Sequence, residues 1–296
     1  MKWQSRAPQM PINHRIMTKL IADCGSSKCD WALVLESGET VYFETSGKNA
    51  LLTEAAELRY WLTASLEKHV DTMPIRKVYF YGAGCLSEGI QKKVADAFHS
   101  QVFEVDEVTV DSDIMGAVYA HHPPGPAYIG ILGTGANMVY YDGAQIDRLC
   151  PSLGYILGDE GSGADLGKAL IKKMLRGAFS QKLEHHFFQW IGKSSNDIIT
   201  TLYQHPAPNQ YLAKLTPFIY KNIHEPSLKK LVMSRLNKYV RYHLLPGRKR
   251  GVNRVYFVGG VAHAFHNQLK QVLEEYDFTL SGVLPKPIQG LVSYLR

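Results

Sequence analysis

The 296-residue sequence predicts an α/β protein made of two copies of one unit, each a mixed sheet covered by helices, with a cleft between them. Three observations predict it. Residues 20–35 run as an apolar strand, a Gly/Ser/Lys loop and a second apolar strand. The same pattern returns at 127–141, where Gly133-Thr-Gly135 joins two apolar runs. In each copy a turn (Ser37-Gly38, Asp142-Gly143) leads to a third strand, and alternating helices and strands follow. A hairpin meander followed by right-handed crossovers builds a mixed sheet, and a ligand sits naturally in the crevice between duplicated halves.

The elements follow in order. Strands at 19–23, 31–35 and 40–45 precede a helix near 53–70, whose Leu58, Leu62 and Leu66 recur at the spacing of one buried stripe. A strand at 77–81 ends in Gly82-Ala-Gly84; a helix near 87–99, a strand at 102–105 and a helix opening near Asp113 complete the order β-β-β-α-β-α-β-α. His121-His-Pro-Pro-Gly-Pro126 cannot continue a helix, so a first domain spans 17–120 and a second 121–285. In the second half the meander leads to a helix near 162–177, with Leu166, Leu170 and Leu175 inward and Lys168, Lys172, Lys173 and Arg176 outward. Residues 180–250 read as a polar helical insertion, 254–258 as a strand entering Gly259-Gly-Val-Ala262 and a helix to Glu275, and 287–295 as a short last helix. Polar, proline-containing residues 1–16 read as an extension without a part in chemistry.

Charge and cysteines exclude several classes. A net charge of +6 is modest for this length, and its basic runs (Lys229-Lys230, Arg248-Lys-Arg250) fall on helical patterns as solvated faces, which argues against nucleic acid. No apolar run approaches a membrane span. The four cysteines, Cys24, Cys29, Cys85 and Cys150, form no CxxC pair, which disfavours an iron–sulfur cluster; reduced thiols in cytoplasm are the expectation.

Four segments are candidates for chemistry. Asp23 ends the first strand ahead of Gly25-Ser-Ser-Lys28, a turn whose N–H groups and hydroxyls suit an anion while the acid holds a cation beside it; an ordinary Gly/Ser hairpin turn is the alternative. Asp113 opens a helix after a strand, as a cap or as a general base beyond the strand ends. The helix N-terminus favours its ionised form, which makes it a weak base kept charged. Gly158-Asp-Glu-Gly-Ser-Gly163 is either a cap with first-turn acids or a pair of acids facing ligand hydroxyls. The turn at 259–262 is either close strand–helix packing or a bare surface for a planar base. No standard nucleotide loop fits: 161–169 lacks P-loop spacing and a magnesium-binding hydroxyl at Ala169, and no glycine turn completes GxGxxG. The adjacent pairs His121-His122 and His185-His186 do not share a helix face for a metal.

Together these segments resemble the sugar-kinase/actin/Hsp70 superfamily, and within it the BadF/BadG-type ATPases and N-acetylglucosamine kinases, from Leu20 onward with 181–250 the least specific. The resemblance implies two ribonuclease-H-like (actin-like ATPase) domains of mixed sheet around a nucleotide cleft, with the last helix, 286–296, packed back on the first domain. It implies ATP and Mg2+, with Gly25, Ser26, Ser27 and Lys28 in a first phosphate loop and Gly133, Thr134 and Gly135 in a second. Asp23 would position Mg2+ through water, and Gly259, Gly260 and Ala262 would meet adenosine. Asn49 of Ser46-Gly-Lys-Asn49, Asn137 and Asp159 would bind a sugar, and Asp113 would be catalytic. The implied activity is phosphorylation of an N-acetylated amino sugar at its 6-hydroxyl. The alternatives are a BadF/BadG-type ATPase acting on a protein partner, and a binding-only ATP/sugar sensor. Cys29 stands where that family has a hydroxyl residue, and Ala136 and Gly260 where serine is common; each loss removes about 1 kcal/mol of binding. Residues 48–52 and 154–157 would shape selectivity. A homodimer is compatible with the sequence.

Overall fold

The computed structural model describes residues 18–70, 75–99 and 105–296. Two five-stranded mixed sheets carry the chain, and the α/β expectation is met. In the first, β1 (Thr18–Cys24), β2 (Lys28–Val34) and β3 (Thr40–Ser46) form an antiparallel meander; β4 (Ile75–Gly82) joins β1 in parallel and β5 (Val105–Ser112) joins β4. The order is β3-β2-β1-β4-β5. In the second, β6 (Ala127–Leu132), β7 (Ala136–Tyr141) and β8 (Ile146–Arg148) repeat the meander, and β9 (Arg254–Val258) and β10 (Thr279–Leu284) add in parallel beside β6. The topology, not only the motif, is duplicated.

Helices α1 (Ala55–Leu66) and α2 (Glu88–Phe98) cover one face of the first sheet, where Leu58, Leu62 and Leu66 pack with Leu20, Trp31 and Phe80 as the four-residue spacing predicts. α3 (Asp113–His121) follows β5. Beyond β8 come α4 (Gly154–Leu157), α5 (Gly163–Met174), α6 (Gln181–Ile191), α7 (Ser195–Gln204), α8 (Pro208–Ala213), α9 (Thr216–Lys221) and α10 (Pro226–Tyr239). α10 continues into a π-helical turn, Val240–Leu244, and a 3-10 turn, Leu245–Arg250. α11 (Gly260–Ala264) and α12 (His266–Glu274) separate β9 from β10, and α13 (Ile288–Leu295) is last. The stretch from α6 to α10 reads as polar, but it contributes Phe187, Phe218, Leu231 and Tyr239 to the largest core.

α3 and α13 bind the halves together. α3 lays Ile114, Ala117 and Val118 on the second sheet among Ala127, Ile129 and Val139. α13 lays Ile288, Leu291 and Val292 on the first sheet against Ile21, Ala32 and Val34. The two helices touch so closely that a Cβ at Gly290 would lie 2.3 Å from the Ala120 carbonyl oxygen. Each chain passage between the sheets is stiffened by prolines, Pro123, Pro124 and Pro126 in one and Pro285 and Pro287 in the other.

Three expectations are corrected. The strand expected at 102–105 is β5, Val105–Ser112; residues 102–104 lie outside the described residues. Its Val108 and Val110 alternate with Glu107, Thr109 and Asp111 because it is an edge strand with a polar side, and that alternation hid it. β10 was not anticipated, since Ser281 and Gly282 break its apolar run. Leu175 is half-buried beyond the end of α5. The expected 1–16 extension lies outside the described residues. Among the described residues no helix is long and apolar enough to cross a membrane.

Candidate active site

A cavity of about 610 Å³ opens between the sheets. Its walls include Asp23, Gly25 and Lys28 from the first hairpin, Gly133 and Thr134 from the second, Asp113 from α3, and Gly259 and Gly260 from the β9–α11 turn. The two hairpin loops touch, Ser27 Oγ lying 3.2 Å from Thr134 Oγ1. Gln210 Nε2 on α8 donates to the Ser26 carbonyl at 3.1 Å, a second tie across the cleft.

Local folding explains the openings. Gly25 N–H donates to Lys28 O at 2.9 Å, closing a two-residue turn at Ser26-Ser27. The second loop is clamped from behind: the Gly163 and Ala164 N–H groups, orphans of the first turn of α5, donate to the Gly133 and Thr134 carbonyls at 2.8 and 3.1 Å. A Cβ at Gly133 or Gly260 would meet nothing within 4 Å, so both present bare backbone to open space. Gly259 (φ +116°) is needed for another reason: a Cβ there would lie 2.4 Å from the Leu132 carbonyl oxygen, where β9's exit crosses the end of β6. The apolar end of the cavity is lined by Tyr220, Val261, Ala264 and Phe265.

The floor is acidic. Asp113 is the first residue of α3, behind the cap Ser112, whose hydroxyl accepts from Met115 N–H. Its carboxylate accepts from Ile114 N–H at 2.9 Å. Burial nevertheless pushes its carboxyl up to about 6, although the Ile114 N–H and the Arg148 cation pull it down. The expectation that the helix N-terminus favours its ionised form is therefore only part of the balance: desolvation on the cleft floor outweighs the dipole. Asp23 is pushed up to about 8, first by burial and then by the like charges of Asp113 and Asp30, against the opposing pull of Lys28 and Lys286. Two strained acids facing one cavity are a donor set that fits a divalent cation carried in on a polyphosphate. Among the described residues no three His, Cys, Asp or Glu converge as a protein-only metal cage, and such a cation needs only one or two carboxylates.

The other predicted residues sort by position. Lys28 lines the cavity, but its ammonium is already shared by Glu44 at 2.7 Å and Asp30 at 3.4 Å, and Lys286 joins the same two acids at 3.2 and 2.8 Å. Ser26, Ser27 and Gly135 sit behind the lining, and the Ala262 side chain is in the core. Asn49 donates to Ser26 Oγ at 3.4 Å. Asp159 accepts from Ala136 N–H at 3.3 Å, and its carboxyl is raised by burial. Asn137 is the β7 residue opposite Ile131. Asn49, Asn137 and Asp159 are therefore tied to the two loops, although none lines the cavity. Cys29 is fully buried with its thiol against Cys24, on the face packed under α1 and α2, so the departure from a hydroxyl removes nothing from the cavity lining.

Sequence reasoning missed Arg148, Lys286 and a row of side chains on α10 and the π-helical turn that extends it: Arg235, Tyr239 and His243. Tyr239 Oη donates to the Asn137 carbonyl at 2.7 Å, and His243 Nε2 meets Glu160 Oε2 at 3.0 Å. Their four-residue spacing in an aromatic, basic helix was the available signal.

No protein-family model matches the chain, and no curated protein matches it. Among solved structures, a candidate N-acetylglucosamine kinase from Porphyromonas gingivalis matches with a TM-score of 0.84 at 34% identity, over 93% of this chain and 97% of that one. This chain belongs to the same family. A second candidate N-acetylglucosamine kinase, from Chromobacterium violaceum, matches with a TM-score of 0.68 at 21% identity over 95% of this chain and 100% of that one. A ROK family glucokinase from Streptomyces griseus, solved with glucose and AMPPNP, matches with a TM-score of 0.54 at 13% identity over 94% and 97%. At those identities the last two carry the fold alone.

Proposed function

We propose that this family member phosphorylates an N-acetylated amino sugar, N-acetylglucosamine or a relative, at its 6-hydroxyl. Its class is that of an ATP-dependent phosphotransferase, in line with the family to which it belongs. The observation that carries the proposal is Asp113: a carboxylate at the ends of the strands, on the floor between two glycine loops, with its carboxyl pushed up to about 6. A base with that value is ionised at neutral pH yet accepts a proton readily.

In the proposed reaction Asp113 takes the proton of the sugar hydroxyl as that oxygen forms its bond to the γ-phosphorus, and the bond to the departing ADP oxygen breaks. The bare backbone at Gly25 and at Gly133 and Thr134 holds the phosphates, and the apolar end near Phe265 and Tyr220 takes the adenine. Asn49, Asn137 and Asp159 orient the sugar. Asp23 would hold Mg2+ through water, which when bound would neutralise charge developing on the phosphates. Transfer through a loose transition state asks mainly for such positioning, and closing the cleft excludes the water that would otherwise take the phosphoryl group.

The test is ADP release with Mg-ATP across amino sugars and neutral hexoses, beside a sugar-free control. Turnover restricted to N-acetylated sugars supports the reading. Turnover independent of sugar sinks it in favour of an ATPase that serves a protein partner, and tight nucleotide binding without turnover sinks it in favour of a sensor.

A further inference from the structure

α10 and the π-helical turn that extends it present Arg235, Tyr239 and His243 at four-residue intervals, which aligns side chains along one helix face. Tyr239 and His243 reach the segments that carry Asn137 and Asp159, and Arg235 reaches Asp165 on α5. Arg235 Nη1 lies 3.4 Å from Asp165 Oδ1, while Asp165 Oδ2 accepts from Gly161 N–H at 3.0 Å. Tyr239 Oη donates to Asn137 O at 2.7 Å. His243 bridges two partners, with Nε2 on Glu160 at 3.0 Å and Nδ1 on Cys150 Sγ at 3.2 Å. All three groups are satisfied when Nε2–H donates to Glu160 and Nδ1 accepts the thiol proton. The Tyr239 and His243 rings stack at 4.9 Å and 23°. With Tyr239 0% and His243 7% exposed, these groups brace a wall and do not touch substrate.

Two features ask for more than packing. Buried polar groups stabilise a core no better than apolar ones of the same shape, so a row of them gains its value from the geometry it fixes. The geometry in question is strained. Asp159 holds a left-handed backbone (φ +57°) without being glycine, a conformation that persists only where its surroundings over-determine it. His243 restrains Glu160 on one side of that residue, the Ala136 N–H takes the Asp159 carboxylate, and Tyr239 fixes the Asn137 carbonyl one residue further along. A π-turn, which widens a helix at functional sites, ends the helix where His243 must reach.

We infer that Arg235, Tyr239 and His243 form a positioning ladder that sets Asp159 and Asn137 for the sugar, and so acts more strongly on sugar affinity than on nucleotide binding. This rests on the sugar-kinase reading above.

The experiment compares the full-length protein with Tyr239→Phe, His243→Asn and His243→Gln, reading KM for the amino sugar, KM for ATP, kcat and melting temperature. Tyr239→Phe removes one hydroxyl and leaves the ring. Glutamine places a donor near the His243 Nε2 position and keeps the Glu160 bond; asparagine reaches only the Nδ1 position and loses it. Tyr239→Phe and His243→Asn should each raise the sugar KM about tenfold, with the ATP KM within about twofold, and His243→Gln should restore the sugar KM. Calorimetric binding of the sugar without ATP should weaken in parallel. An unchanged sugar KM in Tyr239→Phe and His243→Asn, or equal increases in both substrates' KM, overturns the ladder and leaves the kinase reading intact. A wild-type protein that turns over no sugar removes the kinase reading first, and the ladder with it.

Discussion

Replacing Asp23 by asparagine should make the ligand-free protein more stable at neutral pH. Its carboxyl is raised from 3.8 to about 8, by burial first and by Asp113 and Asp30 next. The folded state therefore holds this proton more tightly than the unfolded chain does. The penalty on the folded state starts as pH climbs past the unfolded value near 4 and stops growing near 8. At pH 7 the ceiling is ~4 kcal/mol, from ~1.4 kcal/mol per pH unit. Because the carboxylate opens onto the cleft, solvent screening brings the expected gain to ~2 kcal/mol. Asparagine keeps the shape and never ionises. Denaturant midpoints measured at pH 4.5 and 7.5 should coincide with wild type at the lower pH and exceed it by ~2 kcal/mol at the higher, with Tm up by about 4–8 °C. Saturating Mg-ATP should narrow the gap, since the wild-type carboxylate then has its cation. A variant no more stable than wild type at pH 7.5, or equally stabilised at both pH values, would refute the reasoning, because the gain would not come from a carboxylate held against its charge.

Other outcomes follow from the same site. Asp113→Asn should lower kcat about 10²–10⁴-fold with the ATP dissociation constant nearly unchanged; an equally active variant ends its role as base. The acid limb of kcat/KM should fall near pH 6, and Arg148→Met should move it upward because the arginine pulls Asp113 down; a limb that stays put removes Arg148 from the site's electrostatics. Gly259→Ala meets Leu132 O in a left-handed backbone, so calorimetry should show nucleotide binding weakened and denaturation a loss of ~2 kcal/mol. Gly290→Ala forces α13 off Ala120; its midpoint should drop by ~1–3 kcal/mol with the ligand sites intact in sequence, and an unchanged midpoint would mean the helices separate freely.

Much of this was legible in the sequence, for reasons that differ by element. The meanders show because two buried strands around a glycine turn leave an apolar run that little else produces, and the second copy made the pattern specific. α1 shows through Leu58, Leu62 and Leu66. β5 hid because an edge strand spends every other residue on a polar side, and β10 hid behind Ser281 and Gly282. The candidate site was legible where backbone must approach closely, at Gly25, Gly133 and Gly259, and where an acid follows a strand, at Asp23 and Asp113. The value of Asp113 was not, because burial on a cleft floor is a property of the assembled halves. The cluster of Lys28, Lys286, Asp30 and Glu44 was likewise invisible, and the row on α10 and its π-turn offered only its four-residue spacing: their partners are joined only by the fold.

α13 covers Ile21, Ala32 and Val34, residues made some 250 positions earlier on the same chain. At about 5–20 residues per second that is roughly ten to fifty seconds of synthesis. Throughout that interval the nascent first sheet carries α1 and α2 on one face, while the other has only α3, whose Tyr119 and Ala120 pack beside Tyr81. The first sheet is thus completed by a helix made long after its own strands. A fragment ending before Ile288 should need chaperone cover, or the missing helix supplied as a separate peptide, to stay dispersed.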